Sequence, residues 1–242
     1  MKSRFLMVSA LALAGCGNGA DNSTAPAAPV AAASAPAGQN WVDTVVKVAD
    51  GGYRMGNPDA PIKLIEYGAR SCPTCGLFGR EGMRPLEEQY VASGKVSYEF
   101  HDFLVHGAQD LPGALLGICA GTAPFFGLLE AMYVTQNDYL DRLPKMSKAD
   151  QARLQSATPT QAVTILAEQG GMIELVKQRG IPEAKARACL NDQKALEALA
   201  ATTEKLGKDG TVTGTPTFYL NGERVNAADW AGVETALKAA GA

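Results

Sequence analysis

Apolar and polar positions change their period along the chain, and each change marks an element. Val45, Val46 and Val48 make a β-rich run over 45–48 that stops at the Asp50-Gly51-Gly52 turn. After Asn57-Pro58, the run Ile62-Lys63-Leu64-Ile65-Glu66-Tyr67 alternates in part and is rich in strand formers, which predicts a central strand over 62–67. A helix is predicted over 72–90, weakened by Gly76, Gly79 and Gly82 and kinked just before Pro85, which lacks the backbone donor. Val96, Tyr98, Phe100 and Leu104 predict a second strand over 95–104. Strand, helix and strand in that order form a parallel crossover unit.

From 108 to 207 strand character gives way to helical patterns at 111–119, 124–135, 159–169, 172–178 and 182–206. Strands return at 217–220 and 223–225 on either side of Asn221-Gly222, a pair suited to the positive φ values of a two-residue hairpin turn, and a helix over 228–240 closes the chain. The pattern is α/β, with a strand-bearing part at 41–107 and 208–242 and an inserted helical subdomain at 108–207.

The N-terminus reads differently. Lys2 and Arg4 precede an apolar stretch from Phe5 to Ala14, and Leu13-Ala14-Gly15-Cys16 ends it. This resembles a bacterial lipoprotein signal with its lipobox. The resemblance implies removal of residues 1–15, lipidation of Cys16, and display in the cell envelope, periplasm-facing and held to a bacterial membrane by the lipid. A plain secretory signal with an incidental cysteine is the other reading, and both export the protein. Residues 16–40 are rich in Ala and Pro with almost no bulky apolar side chain, which predicts a tether. The net charge is −3 and no Lys/Arg run exceeds a pair, so nucleic acid is not an expected partner. With Cys16 assigned to lipid, four cysteines remain for an oxidising compartment: Cys72, Cys75, Cys119 and Cys189.

Cys72-Pro73-Thr74-Cys75 opens the predicted helix. A cysteine there lies beside unpaired backbone N–H groups and the positive end of the helix dipole, which favours its thiolate and makes Cys72 the expected attacking sulfur. Cys75, one turn deeper, is placed to resolve a mixed disulfide. Glu66 stands six residues earlier in an apolar strand, where a charged carboxylate is costly to bury. Burial raises its pKa and suits it to proton transfer, whereas a place at the strand end leaves it in solvent.

The order strand, Cys72-Pro73-Thr74-Cys75 helix, strand, helical insertion, Gly214-Thr215-Pro216-Thr217-Phe218, hairpin and helix resembles the DsbA branch of the thioredoxin superfamily over about residues 42 to 240. The resemblance implies a thioredoxin-like fold with an inserted helical subdomain, and a thiol:disulfide oxidoreductase acting on unfolded or cysteine-containing exported proteins. It implies that Pro216 is cis against the cysteine pair and that the Thr215 backbone holds an extended substrate. It also implies that Glu66 assists the buried thiol and that a DsbB-like membrane partner re-oxidises the enzyme. Relatives with a second cysteine pair imply a structural disulfide between Cys119 and Cys189; two buried free thiols are the other reading. Pro73 and Thr74 stand where strongly oxidising members carry a histidine, so a less oxidising couple is expected, and Thr215 before Pro216 resembles the DsbG and DsbC arrangement. A reductase or isomerase is therefore the alternative, with a metal-binding lipoprotein behind it. No cofactor and no metal are expected, although Cys72, Cys75, His101 and His106 have the composition of a zinc quartet.

Overall fold

The computed structural model describes residues 28–242. Six strands form one mixed sheet: β1 (Val45–Lys47), β2 (Tyr53–Gly56), β3 (Ile62–Gly68), β4 (Val96–Asp102), β5 (Thr217–Leu220) and β6 (Glu223–Val225), in the order β1-β2-β4-β3-β5-β6. Only the β3–β4 pair is parallel, and the crossover between them carries α1 (Pro73–Pro85). At the β5–β6 turn Asn221 has φ 51° and Gly222 φ 89°, as the Asn-Gly pair predicts.

The predicted helix of 72–90 changes type rather than stopping at its proline. Pro85 closes α1, and residues Leu86–Val91 continue as a π-helical turn in which Ala92 N–H reaches Glu87 O at 2.9 Å. The glycines expected to weaken α1 also let neighbours approach. A Cβ at Gly79 would stand 2.3 Å from the Tyr133 ring and one at Gly76 would stand 2.1 Å from Gln136 Oε1.

The insertion contains α2 (Leu111–Ala120), α3 (Phe125–Val134), α4 (Gln136–Arg142), α5 (Lys148–Gln155), α6 (Pro159–Gln169), α7 (Met172–Gln178), α8 (Glu183–Leu190) and α9 (Gln193–Lys208); α10 (Trp230–Ala239) ends the fold. The single helix expected over 182–206 is broken at Asn191-Asp192, because the Asp192 carboxylate accepts from Ala195 N–H and starts α9 afresh. The apolar pattern does not mark strand β2 or helices α4 and α5.

Two hydrophobic cores result, and α3 builds both. Phe125, Phe126, Leu129 and Tyr133 join the sheet and α1 in the first core, while Leu128 and Met132 join the helical second one. The insertion at 108–207 has its own core yet is fused to the α/β part, since α3 is apolar around most of its circumference.

The expected tether of 16–40 needs correction where it is described. Residues 28–40 lie along the domain: Val30 N–H donates to Gly241 O at 2.8 Å, Ala33 N–H to Ser93 O at 3.0 Å, and the Trp41 indole N–H to Ala33 O at 2.6 Å. Val30 also packs on the first core. Composition spoke only of missing side chains, whereas backbone groups and one valine hold this segment. The expected signal 1–15 and Cys16 lie outside the described residues, and among the described residues no helix is long and apolar enough to cross a membrane.

Candidate active site

Cys72 is the N-cap of α1, extended at φ −75° and ψ 119°, and Pro73 follows as the first helical residue, where its missing N–H costs nothing. Pro73 and Thr74 are exposed. Cys72 is 5% exposed and Cys75 fully buried, and both are free thiols. A hydrogen bond from the Cys75 thiol is the largest influence holding Cys72 down at about 5. Burial opposes it, and the N–H groups of Cys75 and Thr74 add to it. Burial first, then the hydrogen bond to Cys72 and the charge on Glu66, push Cys75 well above the ordinary thiol range. The missing histidine between the cysteines thus leaves other donors on the Cys72 sulfur.

The Thr215–Pro216 peptide bond is cis, and Cys72 Sγ lies 3.3 Å from Thr215 O. Pro216 is buried. The loop before β5 therefore meets the N-terminus of α1 at the nucleophilic sulfur, as the two motifs implied.

Glu66 is fully buried in β3, which excludes the solvent-facing reading. Its Oε2 accepts from the Tyr98 hydroxyl at 2.6 Å across the β3–β4 pair, while Oε1 has no hydrogen-bond partner. Burial pushes Glu66 up to about 8; the Tyr98 bond pulls it down, and the charges of Cys72 and Asp102 raise it. At neutral pH the side chain is a buried acid with a proton to give, close enough to Cys75 for its charge to act on that thiol.

Several residues around the cysteines escaped the sequence reading. Arg70, two positions before Cys72, is buried and holds Asp102 with two hydrogen bonds, Nε to Oδ1 at 2.8 Å and Nη2 to Oδ2 at 3.1 Å, while its guanidinium lies 5.1 Å from the Phe125 ring. Gly113 and Gly117 of α2 make room for it: a Cβ at Gly117 would meet Arg70 Nη2 at 2.3 Å. That i, i+4 glycine pair on an otherwise apolar helix was the available signal. Gln136, at the start of α4, donates its amide to Arg70 O at 3.0 Å and Cys72 O at 2.8 Å. Ser71 donates to Asp110 Oδ1 and lies 2.9 Å from His106 Nδ1, and His106 N–H donates to Asp110 Oδ2 at 2.6 Å. The loop leading into the nucleophile is thereby fastened to the insertion at three points.

Cys119 and Cys189 are joined, with Cα atoms 5.8 Å apart, and tie the end of α2 to α8. The zinc quartet does not form. His101 instead contacts Glu99 and Asp50, and His106 contacts Ser71 and Asp110. Among the described residues Cys72 and Cys75 belong to no cluster of three or more potential ligands.

The family model described as Thioredoxin matches residues 49–239. A relative from Rickettsia bellii, named "Putative protein-disulfide oxidoreductase", is 27% identical over 176 residues, which are 73% of this chain and 59% of the relative. The chain thus spans about three fifths of the length of that relative. Among solved structures, protein-disulfide isomerase from Novosphingobium aromaticivorans is similar with a TM-score of 0.72 and 27% identity, over 78% of this chain and 97% of that one. Wolbachia pipientis alpha-DsbA1 shares the fold at a TM-score of 0.55 and 21% identity, over 69% of this chain and 73% of that one. With the cysteine pair, the cis-proline loop and the sheet in place, and a family match that covers most of its length, the chain belongs to the thioredoxin family.

Proposed function

We propose that the protein is a thiol:disulfide oxidoreductase that forms disulfides in exported proteins, working on the periplasmic side of a bacterial envelope from a lipid anchor on Cys16. The observation that carries this reading is the opposed tuning of two adjacent thiols: Cys72 held near 5 beside Thr215, and Cys75 pushed up behind it. A dithiol whose outer sulfur is a stable thiolate at neutral pH resists re-forming its disulfide, so its oxidised form gives that disulfide away.

In the oxidising direction a substrate thiolate attacks Cys72 Sγ and breaks the Cys72–Cys75 bond. Cys75 leaves as a thiolate and takes the proton that Glu66 holds. A second substrate thiolate then attacks the substrate sulfur of the mixed disulfide and expels Cys72, which stays a thiolate. Two electrons have passed from the substrate pair to the enzyme pair. A membrane partner of the DsbB kind takes those electrons away and restores the disulfide.

Oxidation of a reduced, unfolded substrate by the wild type and by Cys72→Ala tests the activity; equal rates would remove the proposal. The anchor is tested separately by labelling with a radioactive fatty acid and by fractionating Cys16→Ala, which is expected in the soluble envelope fraction. A reductase or isomerase is the second reading, supported by the similarity to the protein-disulfide isomerase of Novosphingobium aromaticivorans. Trapping the thiols of Cys72 and Cys75 in cells separates the two, since the oxidase is held as a disulfide and the isomerase as a dithiol.

A further inference from the structure

Glu99 and His101 alternate onto one face of β4, and Asp50 reaches the same face from the turn between β1 and β2. His101 Nε2 lies 2.7 Å from Glu99 Oε1 and 4.0 Å from Asp50 Oδ1, and the three donor atoms fall within 4.8 Å of one another. The imidazole is fixed in place. It stacks on Tyr67 with centroids 5.0 Å apart, its side chain is 6% exposed, and a Cβ at Gly52 would come within 2.5 Å of the ring.

Asp50 is the exposed wall of this cluster, with its side chain 68% accessible. A cavity of about 140 Å³, lined by Lys47, Asp50, Tyr53, His101, Asp102 and Thr202 among others, opens beside it and leaves room for water. Among the described residues neither Glu99 nor Asp50 is in ion-pair contact with a lysine or arginine; each meets only His101. Arg54 faces Glu99 in the β2–β4 register without forming an ion pair.

We propose that Asp50, Glu99 and His101 form a binding site for a borderline divalent transition cation of the Zn²⁺ type, with water completing its shell. One imidazole nitrogen and two carboxylate oxygens suit such an ion, whereas Ca²⁺ and Mg²⁺ favour oxygen alone. Donors about 2.0–2.2 Å from a tetrahedral centre stand roughly 3.3 Å apart, so Glu99 has to open by less than 1 Å and the exposed Asp50 to close by a similar amount. The bound ion fastens the β1–β2 turn to the end of β4, where the next residue, Asp102, grips Arg70.

The full chain is tested with Cys72 and Cys75 oxidised to a disulfide, so that neither sulfur can ligate the metal. It is stripped with chelator and titrated with ZnCl₂ at pH 7.5 by calorimetry, and its thermal midpoint is followed in parallel. One Zn²⁺ per chain and a rise in the midpoint are expected. Asp50→Asn, in an exposed turn, is expected to weaken binding at least tenfold, and His101→Gln to abolish it. Absence of saturable uptake, or uptake unchanged in Asp50→Asn, overturns the site. Equal affinity for Ca²⁺ or Mg²⁺ overturns the assigned class of ion.

Discussion

The Tyr98 hydroxyl donates to Glu66 Oε2 at 2.6 Å in a part of the core where neither residue meets solvent. That bond is the influence that lowers the Glu66 pKa against its burial. Tyr98→Phe is therefore expected to move the inflection in the pH profile of Cys75 proton uptake upward from about 8, and Glu66→Gln to abolish it. Stopped-flow attack of a small-molecule thiol on the oxidised protein, which frees Cys75 as a mixed disulfide forms on Cys72, reads both across pH 6–10. An inflection that stays in place in Glu66→Gln assigns it to another group.

Glu66 also couples stability to pH. Its pKa in the fold lies above the ordinary carboxylate value, so between about 4.5 and 8 the native chain keeps a proton that the unfolded chain has lost. Stability from this group falls as pH rises through that window. Urea denaturation should show Glu66→Gln gaining on the wild type from pH 5 to pH 8; a constant difference contradicts the buried acid.

Cys72 behaves in the opposite sense. Its pKa is depressed, so the thiolate stabilises the reduced fold fully above the unfolded value near 9, and the contribution is lost as pH falls through about 5. Alkylation of the reduced protein by iodoacetamide should lose rate with an inflection near 5, and Cys75→Ala should shift it upward by removing the main donor. An inflection near 8.5 in the wild type would mean an ordinary thiol.

The elements were legible where local chemistry decided them. Asn221-Gly222 announced its turn, 159–169 and 172–178 appeared at their expected bounds, and the cysteine and proline motifs fell where the resemblance placed them. Long-range partners decided the remainder. Tyr53–Gly56 is short and becomes a strand through pairing with β1 and β4, and Asp192 splits a helix by capping it. Arg70 and Gln136 are polar residues whose partners lie 32 to 66 positions away, so no local pattern marks them. The alternation of β3 suggested that Glu66 is buried; that Tyr98 satisfies it required the register Leu64 to Tyr98 and Glu66 to Phe100.

The disulfide closes a long loop. Cys119 and Cys189 are separated by 70 positions, and in the chain-entropy model such a link contributes up to about 4 kcal/mol. The double variant Cys119→Ala/Cys189→Ala is expected to lose stability in urea by up to that amount while keeping the Cys72 alkylation inflection, because neither residue touches the active thiols. A shifted inflection would show that the insertion relays the change to α1.

Arg70 and Asp102 form the most consequential ion pair near the site. Both side chains are at least 95% buried, so removing one charge leaves the other without solvent or partner, a loss of about 3–5 kcal/mol. Arg70→Met and Asp102→Asn should each fall in that range in urea denaturation. Arg70→Met/Asp102→Leu should recover a large part, since no charge is then stranded, though the contact of the guanidinium with Phe125 is not restored. The pair also fixes the backbone two residues before the nucleophile, which Gln136 holds through the Arg70 and Cys72 carbonyls. The double variant should therefore fold but oxidise substrate more slowly than the wild type. Full activity in that variant would confine Arg70 and Asp102 to stability and leave Gln136 as the residue that positions the loop.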